Sequence, residues 1–236
     1  MDGVCALPAD PGVPSFSLKL DSASVAAAGG SVIGTVGWTT GRDGVGAAAK
    51  FGGVGAPGAI RIPNSAALVF NGGGTIDLWA RIDSTTGMDG YGRTVTAGAV
   101  MALWAKSHDS NGVALVAYSP DPSLPGTGYG YAGLAAFDAT WRGCTAASTL
   151  TRNPGNALGS WFRMTTTMSA TAGTAIYVNK TLIVDCPAVR PSFARMNGQD
   201  LVLGKYSDSW YPLNGALQDL RIFPKALTAA EVAALP

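Results

Sequence analysis

Apolar and polar residues alternate with a period of two along much of this chain. The clearest stretches are Gly74-Thr-Ile-Asp-Leu-Trp-Ala-Arg-Ile82, Thr174-Ala-Ile-Tyr-Val-Asn179 and Leu217-Gln-Asp-Leu-Arg-Ile-Phe223. Period two places successive side chains on opposite faces of a strand. Phe16–Leu20 carries the same pattern and reads as a first strand. Further short strands are predicted near 47–52, 58–62, 98–106, 112–119, 129–138, 146–152, 160–168, 181–186 and 199–204. Turn residues separate nearly all of them, and Asn179-Lys180 between two apolar runs predicts a tight hairpin. The one clear helical signal is at the end of the chain. There Thr228 and Glu231 form a T-x-x-E capping box ahead of residues 229–234. Residues 21–46 are small, rich in Gly and Ala and weakly patterned, so they are expected to cross the surface with little regular structure.

A dozen or so short strands with regular turns argue for an all-β sandwich or jelly roll. No internal repeat points to a propeller or solenoid. Composition agrees: 47% of the 236 residues are hydrophobic, 13% are charged, and there are 32 glycines and 14 prolines. Net charge is +1 without a Lys/Arg cluster, which argues against nucleic acid as a partner. No apolar run is long enough to cross a bilayer as a helix, so no membrane insertion is expected. Met1–Pro8 lacks the basic start and apolar stretch of a secretory leader. Residues 1–15 hold Pro8, Pro11 and Pro14 and are expected to form an extended arm.

The run Asn214-Gly-Ala-Leu-Gln-Asp-Leu-Arg-Ile-Phe-Pro-Lys-Ala-Leu-Thr-Ala-Ala-Glu-Val-Ala-Ala-Leu235 resembles the C-terminal signature of the laminin-G-like, concanavalin A-like jelly rolls. Phe51-Gly-Gly, Gly58-Ala-Ile-Arg-Ile-Pro-Asn-Ser65, Gly74–Ile82, Trp161-Phe-Arg-Met-Thr-Thr and Thr174–Asn179 resemble its upstream motifs, in order, over roughly residues 45–235. The resemblance implies one domain over 16–236: a two-sheet antiparallel jelly roll with a short C-terminal helix. It also implies a binding or structural module. Against the family pattern, residues 83–97 and 119–128 are enlarged loops, and loops on a rigid sandwich are where recognition concentrates.

Glycoside hydrolases share this fold and need two carboxylates on the substrate. The only glutamate, Glu231, is placed as a helix cap, and no Asp pair lies on a predicted strand, so no catalysis is expected. His108, the only histidine, sits in Lys106-Ser107-His108-Asp109 and reads as a polar turn. No cofactor is expected. Relatives often carry calcium, but Gly52 and Gln218 stand where the resemblance implies oxygen donors. Asp219 remains, and strict alternation turns it away from Gln218.

Of six tryptophans, Trp79 and Trp161 match positions that are core in the family, and Trp104 lies in an apolar strand. Trp210, in Lys205-Tyr-Ser-Asp-Ser-Trp-Tyr-Pro212, and Trp141 beside Arg142 are the candidates for stacking on a sugar. With Tyr206, and with Tyr91 and Arg93 of the first enlarged loop, they make the candidate ligand-binding set. Among three cysteines, Cys144 and Cys186 either pair as a disulfide, leaving Cys5 out, or remain buried thiols.

Two functions fit. One is a structural protein of a bacteriophage virion, made in host cytoplasm and set on the virion surface. It would be a decoration, fibre or tail-associated jelly roll that engages neighbouring subunits through its N-terminal arm and contacts host-surface glycans. The other is a carbohydrate-binding or adhesion module of a bacterial surface or secreted protein.

Overall fold

The structure is a computed structural model that describes residues 9–88, 92–96, 99–106, 111–119, 129–136, 144–145, 158–206 and 210–236. In chain order the first elements are β1 (Phe16–Leu18), α1 (Ser22–Ala27), β2 (Ser31–Gly34), β3 (Val36–Thr40), β4 (Ala47–Gly52), β5 (Gly58–Ile62) and β6 (Gly73–Ile82). Next come β7 (Gly87–Met88), β8 (Thr94–Val95), β9 (Ala99–Ala105), β10 (Asn111–Ser119), β11 (Tyr129–Ala136) and β12 (Cys144–Thr145). The chain ends with β13 (Trp161–Ser169), β14 (Gly173–Val178), β15 (Thr181–Cys186), α2 (Phe193–Asn197), β16 (Leu201–Leu203), β17 (Asn214–Phe223) and α3 (Ala229–Ala234).

The strands form two antiparallel sheets. The first runs β15-β14-β13-β6-β17-β4-β3, with β1 beside the second half of β17. The second runs β12-β11-β10-β9-β16-β5-β2, and the β7–β8 hairpin lies along β9. This is the two-sheet jelly-roll sandwich expected from the alternation. In β6, Ile76, Leu78, Ala80 and Ile82 point into the core, as do Phe162, Met164 and Met168 of β13. Phe51, Phe70, Trp104 and Leu203 complete it from the other elements. Cys144 and Cys186 form a disulfide, Cα atoms 5.6 Å apart, that ties β12 in one sheet to β15 in the other. Asn179 and Lys180 both take left-handed φ, 48° and 68°, as a tight two-residue hairpin demands. The Asn179 side chain accepts a bond from Arg163 N at 2.9 Å and holds that turn.

Part of the outer face of the first sheet, around Tyr177 and Phe223, is covered rather than solvated. Leu227, Val232 and Leu235 of the C-terminal segment pack on Tyr177 and Phe223. Beneath them Asp77 accepts bonds from Arg163 Nε and Nη2 at 2.7 and 2.6 Å and from Thr165 Oγ1 at 2.6 Å. Arg163 Nη1 reaches the backbone oxygens of Leu235 and Pro236. The helix is capped as expected, with Glu231 N donating to Thr228 Oγ1 and Thr228 N to Glu231 Oε2.

Four expectations change. Residues 21–46 hold α1, β2 and β3: Asp21 caps α1 by accepting from Ser24 N at 2.6 Å, and Val25 buries itself. Small side chains hid these elements, since Ala and Gly carry almost no pattern. Secondly, α2 is an additional helix, its Phe193 and Met196 buried. Thirdly, Trp79 and Trp161 are not core. They share parity with Asp77 and Arg81, face outward, and are half-buried under Arg42 (4.3 Å to the ring centroid) and Arg81 (5.2 Å). Fourthly, β17 carries a bulge between Gln218 and Arg221, opposite Trp79 and Asp77. The extra residue breaks alternation. Asp219, at φ 52°, therefore shares Arg42 with Gln218 instead of turning away: its carboxylate lies 3.9 Å from Arg42 Nε, while Gln218 Oε1 accepts from Arg42 N.

The strand expected at 146–152 and His108 lie outside the described residues. In residues 9–14, Gly12 N bonds Asp10 Oδ1 and Val13 is exposed, so this stretch contributes nothing to the core. Among the described residues Ser15 is the first anchored, through Ala67 O and Ile222 O.

Candidate ligand-binding site

Three aromatic residues, Tyr206, Trp210 and Tyr211, meet on one hairpin that follows β16. Gly204 opens it at φ 84°, where a Cβ would stand 2.2 Å from the Phe51 ring, so only glycine lets the chain leave the sheet here. Gly204 N donates to Leu103 O at 3.1 Å and Leu213 N to Gly204 O at 2.7 Å, closing the base. Tyr206 and Trp210 exchange two backbone bonds of 2.8 and 3.0 Å. Tyr211 O accepts from Ala102 N at 2.8 Å, which fastens the returning arm to β9.

Tyr211 itself has φ 54°. A bulky residue in the left-handed region is an outlier, and such strain gathers at functional sites. It places three rings together. Tyr206 and Tyr211 stack at 6.3 Å and 21°, and Trp210 meets Tyr211 edge-on at 5.6 Å and 69°. The two tyrosines rest on Ala102, Ala105 and Val202, on the outer face of the second sheet. Trp210 stays 38% exposed. Its indole lies over Gly92 of the first enlarged loop, where a Cβ would come within 3.2 Å of the ring. Arg93, exposed, follows directly. The arrangement is a cluster of three aromatic rings exposed at Trp210, suited to an amphipathic ring that is apolar on its faces and polar at its edges.

Of the expected set, then, Trp210 and Tyr206 come together, and the loop bearing Arg93 borders them. Tyr91 and Trp141 lie outside the described residues. Tyr211 and Gly92 were missed. Tyr211 sits beside Trp210 in the same polar aromatic run, and that adjacency was the available signal.

Nearby, Lys106 at the end of β9 is buried, its Nζ donating to Gln199 O (2.7 Å), Asn64 Oδ1 (3.0 Å) and Met196 O (3.1 Å). Burial pulls its pKa down to about 8 and Asp200 pulls the other way. This ammonium pins the α2–β16 turn from which the hairpin grows.

The residues at the family's calcium position do not fit the ion. A Cβ on Gly52 would stand 2.7 Å from Ala56 Cβ, leaving no room for an acidic side chain, and Arg42 already occupies the space beside Gln218 and Asp219. Among the described residues no three His, Cys, Asp or Glu side chains cluster as a metal site. Glu231 is held in its cap, and Lys225 above all keeps its carboxyl below the ordinary range.

A family model of the concanavalin A-like lectin/glucanases superfamily matches residues 54–233, and the chain belongs to that laminin-G-like family. Solved structures with the same fold include domain 4 of AbnA, a GH43 extracellular arabinanase from Geobacillus stearothermophilus, in complex with arabinotriose. It shares 19% identity, covers 87% of this chain and 86% of that one, and has a TM-score of 0.55. The binding domain of Paraclostridial Mosquitocidal Protein 1 matches at 16% identity over 94% of this chain and 51% of its own, TM-score 0.59. A botulinum neurotoxin type C structure, described by its dependence on two ganglioside molecules for cell entry, matches at 15% identity over 87% and 45%, TM-score 0.55. The chain thus spans about half the length of these two toxin chains. No curated protein sequence matches it.

Proposed function

We propose that this chain is a non-catalytic glycan-binding module whose site is the Tyr206–Trp210–Tyr211 hairpin, bordered by the loop bearing Arg93. The exposed indole of Trp210, fixed between Tyr211 and Gly92, carries the reading. A sugar presents axial C–H groups on one face, which pack on an aromatic ring, and hydroxyls at its edge, which the tyrosine tips and neighbouring polar groups meet. The fold neighbours support this reading, since their names carry arabinotriose and gangliosides. The lone glutamate, spent in a helix cap, supports a non-enzyme. The reading includes binding without calcium, supported by the crowding at Gly52 and by Arg42 beside Asp219. The disulfide favours an oxidising compartment and hence an extracellular or cell-surface location. No observation favours the virion role expected from the sequence, nor a partner subunit on the N-terminal arm.

The test is a glycan array spanning arabino-oligosaccharides, neutral hexose oligomers and sialylated glycans, probed with the full chain and with Trp210→Ala in EDTA. A defined subset of glycans binds the parent chain, and the variant loses it. Failure to bind any glycan, or a requirement for calcium, overturns the reading.

A further inference from the structure

A second recess lies on the opposite sheet, away from the hairpin. It is an open groove of about 390 Å³ on the outer face of β13, β14 and β15, walled by the Ala226–Thr228 segment that leads into α3. Its size falls within the range of small-molecule sites. Register explains its shape. Thr167, Ala175 and Asp185 stand in one cross-strand row, and Tyr177 and Leu182 in the next. A bulge in β15, between the pairs Ile176–Val184 and Tyr177–Leu182, turns both Leu182 and Asp185 outward; strict alternation would have separated them. Thr167 and Asp185 are two inter-strand spacings apart, about 9–10 Å, which is wide enough for one six-membered ring. Gly173, at φ 89°, lets the end of β15 pack close at one end of the groove, because a Cβ there would stand 2.4 Å from Cys186 O.

The chemistry of the lining is unfinished. Tyr177 and Thr167 are each only 6% exposed, yet neither hydroxyl has a hydrogen-bond partner among the described residues. Neither is sealed from solvent either. Both hydroxyls therefore meet solvent, and a ligand hydroxyl can take the place of that water. Asp185, on the rim, makes no hydrogen bond or ion pair among the described residues, although its charge reaches Tyr177. Burial first, and then that charge, push the phenol's pKa up, so it remains a hydrogen-bond donor through neutral pH. Among the described residues no lysine or arginine lines the groove. Alanines, Leu182 and the tyrosine ring supply an apolar floor.

From this geometry we infer a second ligand site that takes a single neutral, polyhydroxylated ring, with Tyr177 and Thr167 bonding one edge and the Asp185 carboxylate accepting from a pair of hydroxyls at the other. The Asp185 carboxylate and the lack of lysine or arginine among the described lining residues favour a neutral ligand over phosphate, sulfate or a carboxylate. The small apolar floor and the paired hydroxyls suit a sugar ring better than a compact amine. The inference is independent of the hairpin reading, since the two sites lie on different sheets.

The full chain, with its tyrosine rings labelled with carbon-13, is titrated by NMR with the methyl glycosides of glucose, galactose and mannose, and separately with choline and inorganic phosphate. Tyr177→Phe identifies the Tyr177 signal and, having no bond to lose, folds like the parent. The expected result is saturable movement of that signal by at least one methyl glycoside. Binding should weaken about fivefold in Asp185→Asn, the worth of roughly one hydrogen bond, and stay unchanged in Trp210→Ala. The inference is overturned if no glycoside moves the signal up to about 50 mM, far above the millimolar range in which weak sites saturate. Movement by choline or phosphate alone, or an effect that vanishes in Trp210→Ala and survives in Asp185→Asn, overturns it equally.

Discussion

Replacing Asp77 by alanine removes the carboxylate on which the covered face of the first sheet depends. Asp77 is fully buried and Arg163 is 1% exposed, joined by two bonds of 2.7 and 2.6 Å. Arg221 Nε lies 3.7 Å from the same carboxylate. The intact pair itself adds little net stability, because desolvating both charges offsets their attraction. Breaking it from one side costs about 3–5 kcal/mol, since an uncompensated cation stays in a dry interior. Arg163 would keep only the backbone oxygens of Leu235 and Pro236, and Thr165 Oγ1 would lose its acceptor. At 2–4 °C per kcal/mol for a domain this large, melting falls by about 6–20 °C. Urea titration by circular dichroism measures the loss directly, with an unchanged m-value expected for a pure stability effect. Adding Arg163→Met should restore part of the loss, because the two sites are in contact and not additive. A loss under about 1 kcal/mol, or a double variant less stable than the single one, refutes the reasoning that this carboxylate neutralises a buried cation.

Two further outcomes are expected. Reducing Cys144–Cys186, or replacing both by alanine, frees a loop of sequence separation 42 and should cost roughly 2–4 kcal/mol; equal melting of oxidised and reduced protein would contradict this. Lys106 has a folded pKa of about 8, below the ordinary 10.5, so the unfolded chain holds more protons between those values. The lysine's contribution to stability therefore rises as pH increases from about 8 to 10.5, and the gap between parent and Lys106→Met should widen over that window. A gap that is flat or narrows rules the shift out.

Much of the fold was legible because strands with one face in a core alternate. Ile76, Leu78 and Ala80 against Asp77 and Arg81 left no other period, and the Thr228–Glu231 box marked α3. Parity also carried information that family likeness obscured: the same alternation that put Leu78 inside put Trp79 outside. What alternation cannot carry is a bulge. The single extra residue after Gln218 reversed the expected side of Asp219, and the one in β15 built the groove beside Tyr177. Helix α1 escaped because Asp21 and Ser24 cap a run of small residues with only Val25 to bury. At the hairpin, Trp210 and Tyr206 were visible as a polar aromatic run. The meeting of Trp210 with Gly92 depends on contacts between segments more than a hundred residues apart, which no local pattern records.

The most direct test of the central claim is calorimetric titration of an array-selected oligosaccharide into the parent chain and into Trp210→Ala. Trp210 lies outside the core and its backbone bonds to Tyr206 do not need the indole, so the variant should stay folded while its affinity falls at least about tenfold, or 1.4 kcal/mol. Equal affinity in the two proteins would place glycan recognition elsewhere on the molecule and contradict the hairpin as the binding site.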